Sequence, residues 1–71
     1  MIKKPSVIAK NIKRLRKEMG ISQDKLSKLA DVSFHTITKI EAGDTSNPTV
    51  DTVKKIAKAL GVSVDSLINI N

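Results

Sequence analysis

The stretch SQDKLSKLADVSFHTITKIEAG, residues 22–43, decides how this chain folds. Two segments in it start alike. Ser22 and Ser33 are hydroxyl residues set just before an apolar pattern of helical spacing, where a side-chain oxygen caps the free N–H groups of a first turn. Gly43 stands where the second segment should stop, because a left-handed residue commonly closes a helix. Between the segments only Asp31, Val32 and Ser33 remain, a tight turn. Two short helices joined that closely must cross at a steep angle.

The same punctuation continues on both sides. Thr49 and Ser63 each precede a helical pattern with an acid in its first turn, Asp51 and Asp65, where the helix dipole favours negative charge. Gly20 and Gly61 mark further stops, and Pro5 and Pro48 precede the first and fourth helices. This predicts an all-α fold of five short helices, over about 6–19, 22–30, 33–42, 49–60 and 63–69, since no useful length of chain alternates with period two. The expected core stripe is Ile8, Ile12, Leu15, Met19, Ile21, Leu26, Leu29, Val32, Ile37, Ile40, Val53, Ile56, Leu60, Val64 and Leu67, spaced by three or four. Residues 1–5 read as a basic arm and 6–70 as a single domain.

At 71 residues without cysteine, neither a disulfide nor a thiolate metal site can supplement the core. One histidine and no cysteine exclude a His/Cys zinc centre within the chain. No acid pair, nucleophile with a base, or glycine-rich phosphate loop suggests an enzyme, and neither a cofactor nor a small-molecule ligand is expected. No apolar run reaches the roughly 18 residues of a membrane span, so no membrane partner and a cytoplasmic location are the expectation. The charge is uneven. Residues 1–20 hold seven bases and one acid, and residues 21–71 hold six of each, so the whole +6 sits in the arm and first helix. A localised positive field points to an anionic partner, with nucleic acid ahead of membrane or acidic protein.

With the order IKRLRKEMGISQDKLSKLADVS, TITKIEAG, NPTVDTVKKIAKALGVSVDSL, the chain resembles the Cro/CI-type helix-turn-helix family (the XRE, or lambda-repressor-like, family) from about Ile8 to Ile68. The resemblance implies a transcriptional regulator, with repression the expected mode, that lays its third helix in the major groove of double-stranded DNA. It implies that Phe34, His35, Thr38 and Lys39 contact bases. It implies phosphate contacts from Ser22, Gln23 and Thr36, with Ser46 and Asn47 able to add hydroxyl, amide or backbone contacts. It also implies a structural ion pair between Arg16 and Glu41. A helical wheel centred on Ile37, at about 100° per residue, agrees in part: His35, Thr38, Lys39 and Ala42 cluster opposite the core, with Phe34 on the shoulder. On their own wheels Arg16 and Glu41 both lie beside the apolar stripe.

Three departures from the family pattern stand out. Asp31 occupies a turn position where Gly is usual, Ser27 replaces the usual Ala at the tight crossing, and the loop Asp44–Asn47 lacks the Lys and Arg that phage repressors often carry. Lys10, Lys13, Arg14 and Lys17 line the outer face of helix one, and Lys54, Lys55 and Lys58 do the same on helix four; a solvated face is the favoured reading of both, ahead of direct contact. One reading helix covers only about four or five base pairs, so a homodimer on a two-fold site is expected, with Leu67, Ile68 and Ile70 as its contact. The competing expectation is a protein-interaction module on the same fold, such as an antitoxin or an antirepressor partner, favoured by the weak loop and the apolar Phe34.

Overall fold

The computed structural model describes residues 7–43 and 48–68, and within them all regular structure is helical, with no strand. The elements are α1 (Val7–Glu18), α2 (Gln23–Ala30), α3 (Phe34–Ala42), α4 (Val50–Leu60) and α5 (Val64–Ile68). The arm at residues 1–5, the loop with Ser46 and Asn47, and Ile70 lie outside the described residues.

Local chemistry sets each boundary. The Ser22 hydroxyl accepts from the Lys25 N–H at 3.0 Å, Ser33 from Thr36 at 3.1 Å, Thr49 from Thr52 at 3.1 Å and Ser63 from Ser66 at 3.2 Å. Each cap satisfies a donor that the first turn leaves without an intrahelical partner. At the other ends, the N–H groups of Ile21, Val32 and Val62 reach back to the carbonyls of Arg16, Ser27 and Ala57. These are six-residue closures through a left-handed residue. That residue is glycine at positions 20 and 61, but at α2 it is Asp31, with φ of 57°.

The core gathers Ile12 from α1, Leu26 from α2, Ile37 and Ile40 from α3, Ile56 from α4 and Leu67 from α5, all essentially without solvent contact. Helix α1 packs on α3, α4 and α5, while α2 packs on α3 and α4. The Asn11 amide adds a polar link from α1 to α5 by donating to the Leu67 carbonyl at 2.8 Å.

Two expected core residues are instead half-exposed, Met19 at 47% and Leu29 at 50%. Met19 follows the last residue of α1 and leaves the helical face as the chain turns toward Gly20. Leu29 is displaced because α2 buries Leu26, Ser27 and Ala30, a face rotated toward its small residues. Small residues let α3 and α4 come close, and the Ser27 hydroxyl is satisfied by donating to the Asp24 carbonyl at 2.7 Å. Alanines 9, 30 and 57 belong to the core although the sequence stripe omits them.

Leu67 requires a correction. Expected as a dimer contact, it is 0% exposed and enclosed by the domain's own core, so it has no surface to offer a partner. Its neighbour Ile68 is 45% exposed.

Asp31 carries the cost of a left-handed backbone on a residue with a Cβ, about 1–2 kcal/mol in general and less for Asp. Glycine removes that cost but loses about 0.5–1 kcal/mol of chain entropy. Asp31→Gly is therefore expected to leave the fold unchanged and stabilise it by up to about 1 kcal/mol, a rise of a few degrees in melting temperature. A lower melting temperature would show that the Asp31 side chain makes a compensating interaction.

Candidate nucleic-acid interface

Glu41 is the unusual residue of α3. Its side chain is 3% exposed, on the shoulder of the buried Ile37–Ile40 face. A carboxylate taken out of water needs full compensation from charge and hydrogen bonds. Arg16 of α1 supplies most of it: its Nε donates to Glu41 Oε2 at 2.7 Å and its Nη2 to Oε1 at 3.0 Å. This is the two-pronged geometry in which a planar guanidinium binds a carboxylate.

The remaining prong of Arg16, Nη1, donates to the Ile21 carbonyl at 2.8 Å, in the link between α1 and α2. Gln23, in the first turn of α2, donates its amide to Glu41 Oε1 at 3.1 Å. One carboxylate thus ties α1, the α1–α2 link and the start of α2 to α3. The hydrogen bond to Glu41 raises the Arg16 pKa above its ordinary value; burial works against this and the carboxylate charge reinforces it. The guanidinium is charged at every accessible pH.

With its inner face held, α3 turns a different set of groups outward. Phe34 is 49% exposed, so the lone aromatic is a surface residue rather than a core one. His35 and Lys39 are exposed, one helical turn apart. Thr38 is half-buried and donates its hydroxyl to the His35 carbonyl at 2.9 Å, which leaves its oxygen lone pairs and methyl group outward. Thr36 is half-buried, and its hydroxyl pairs with that of Ser33 at 2.8 Å.

Ser22 and Gln23 stand together at the N-terminus of α2. The Ser22 hydroxyl already accepts from Lys25 but retains its own proton to donate. Gln23 commits one amide N–H to Glu41, which fixes the side chain's direction; its second amide N–H and the backbone N–H remain. The family resemblance implied the Arg16–Glu41 partnership, but nothing in the sequence reading indicated that Gln23 and the Ile21 carbonyl complete it. A signal existed for Gln23, which lies on the same side of the α2 wheel as buried Ala30, seven residues on. Among the described residues no group of acidic, His or Cys side chains is arranged to hold a metal ion. Nor is any helix there long and apolar enough to cross a membrane.

A family model described as helix-turn-helix matches residues 12–67. The HTH-type transcriptional regulator SinR of Bacillus licheniformis is 35% identical over 63 residues, covering 89% of this chain and 57% of that protein. The chain therefore spans little more than half the length of that relative. Among solved structures, the N-terminal DNA-binding domain of SinR from Bacillus subtilis superposes with a TM-score of 0.86 at 33% identity, covering 90% of this chain and 93% of that one. The P22 c2 repressor, solved in complex with a synthetic operator, gives a TM-score of 0.79 at 31% identity, covering 87% and 92%.

Replacing Glu41 by Ala leaves a largely buried guanidinium without its partner and Gln23 without its acceptor. The expected loss is about 1–3 kcal/mol of stability, read by thermal or urea unfolding. An unchanged transition midpoint would mean that the pair contributes nothing to the fold.

Proposed function

Because the chain belongs to the helix-turn-helix family, we propose that it is a sequence-specific regulator of transcription that binds double-stranded DNA through α3. The observation that carries this reading is the division of α3 into two faces. Ile37, Ile40 and Glu41 are buried and clamped, while Phe34, His35 and Lys39 are exposed and take no part in the core. A helix held rigidly by one face and offering donors and an aromatic edge on the other suits a groove in which base edges display donors, acceptors and thymine methyls.

In this reading His35 and Lys39 donate to base acceptors, Phe34 packs on a thymine methyl, and Thr38 accepts from an amino group or packs through its methyl. Ser22 and Gln23 hold a phosphate at the N-terminus of α2, where free N–H groups and the helix dipole favour an anion. Thr36, Ser46 and Asn47 add further backbone contacts. Residues 6–70 act as the binding unit and 1–5 as a basic arm. A second copy on a two-fold site doubles the sequence read, with repression the simplest outcome of occupying a promoter; Ile68, exposed at the end of α5, is the described apolar residue placed for that contact. The work is done in the cytoplasm without catalysis or cofactor.

The test separates reading from positioning. His35→Ala and Lys39→Ala should leave the melting temperature unchanged, and each should weaken the preferred site by about 1–3 kcal/mol while relaxing preference at one base pair. If Lys39 meets only phosphate, its loss weakens all duplexes alike and lowers the salt slope by about one. Phe34→Ala should cost preference with little change in stability, since the ring is half in solvent. Should all three variants bind every duplex as the parent does, α3 is not the reading element. The exposed Phe34 then belongs to a protein-binding face.

A further inference from the structure

Two lysines of α1, Lys13 and Lys17, are exposed on its outer face toward the end that leads into α2. Helix α1 has two cross-links that fix how it is rotated in the fold. Arg16 reaches α3 through Glu41, and Asn11 reaches α5 through the Leu67 carbonyl. At about 100° per residue, Lys13 lies roughly 60° beyond Arg16 and about 160° from Asn11, and Lys17 lies about 100° beyond Arg16. Lys13 therefore stands on the α3 side of the exposed face, and Lys17 close to its crest. Lys10 sits on its crest, and Arg14 and Glu18 sit on the α5 side, where they pair at 3.3 Å.

Pairing leaves these two lysines available, as it also leaves Lys10 and Lys58, among the described residues. Lys28 meets Asp24 at 3.2 Å and Lys55 meets Asp51 at 3.5 Å, whereas Lys13 and Lys17 have no carboxylate in ion-pair range among the described residues. Their place along the chain matters as well. The carbonyl of Lys17 accepts from Gly20 at 3.0 Å, and Ile21 donates to the Arg16 carbonyl at 3.2 Å, which fixes the end of α1 directly beside Ser22 and Gln23.

We propose that Lys13 and Lys17 form a clamp on the DNA backbone, holding phosphates that adjoin the one bound at the start of α2. The two side chains are separated by about 6 Å along the helix axis. That is nearly two of the roughly 3.4 Å axial steps between charges on one strand, enough for the two groups to meet separate phosphates. The excess charge of the first twenty residues then contributes to affinity by direct neutralisation and not only by a diffuse field. Arg16, between these lysines and the core, is less free for that work, since three of its five N–H groups are committed to Glu41 and the Ile21 carbonyl and its charge is paired with Glu41.

The inference rests on the DNA-binding reading above, and the experiment keeps the two apart. The double variant K13Q/K17Q is compared with K55Q/K58Q, which removes the same charge from a hollow lined by Leu29 and Asp31 at the far end of α2 from Ser22. All four positions are exposed and glutamine suits a helix, so both doubles should melt as the parent does. Affinity is measured against salt on the preferred duplex and an unrelated one. K13Q/K17Q should lower the slope by about two and the affinity roughly ten- to a hundredfold near 0.1 M salt, equally on both duplexes. K55Q/K58Q should keep a slope near the parent's. Phosphate ethylation next to the α2 contact should interfere with the parent and no longer with K13Q/K17Q. Equal slope changes in the two doubles, or an α1 double that behaves as the parent, overturn the clamp while leaving site-specific binding intact. A parent that binds no duplex overturns both readings together.

Discussion

Glu41 must be charged and nearly dry at once, and the fold is arranged around that requirement. A buried carboxylate is tolerated only when its neighbours replace what water gave it. Here a guanidinium supplies two parallel hydrogen bonds and an amide supplies a third. Each donor sits on a different part of the chain from the carboxylate, so satisfying the charge also fixes α3 in orientation. An apolar pair of similar volume would hold the helices together equally well. It would not specify one angle of rotation for α3, because hydrophobic contact is without direction.

Rotation is what an outward-facing face needs. A turn of α3 about its axis by a few tens of degrees would keep Ile37 and Ile40 in apolar surroundings but would re-aim His35 and Lys39. The network resists this because its hydrogen bonds weaken steeply as their angles depart from linear. Placing Gln23 in the same network extends the control to the start of α2, so that the proposed anchor on the backbone and the proposed reading surface share one reference point.

Much of this was legible in the residues themselves. Helix starts were readable because the capping hydroxyls act locally, within three residues, and the stops because a left-handed backbone selects glycine, or here Asp31. The shoulder positions of Arg16 and Glu41 followed from the wheel. What failed to show was burial decided by neighbours. Hydrophobic spacing ranked Leu29 above Ala30 and Ser27, since it weighs side-chain size and cannot see that two helices approach α2 on its small-residue side. Leu67, correctly placed in the core stripe, was also offered as a dimer contact for the related reason that an apolar residue near the end of a pattern reads the same whether its own domain or another copy covers it. The outward set on α3 was easier, because polar side chains opposite a two-isoleucine stripe have nowhere else to point.

The contact between α1 and α5 has a bearing on how the molecule is made. Asn11 and the Leu67 carbonyl are 56 positions apart, and Leu67 completes the same core as Ile12. Helices of five to twelve residues do not persist alone in water, so the capped starts can nucleate turns but cannot hold them. A growing chain that has released α1 through α4 from the ribosome still lacks the side chain that closes the centre. Stable structure must wait for α5, and until then Ile12 and Ile56 remain open to solvent. Folding of these five helices is thus cooperative, and a chain cut short before α5 stays open to proteases instead of forming a partial domain.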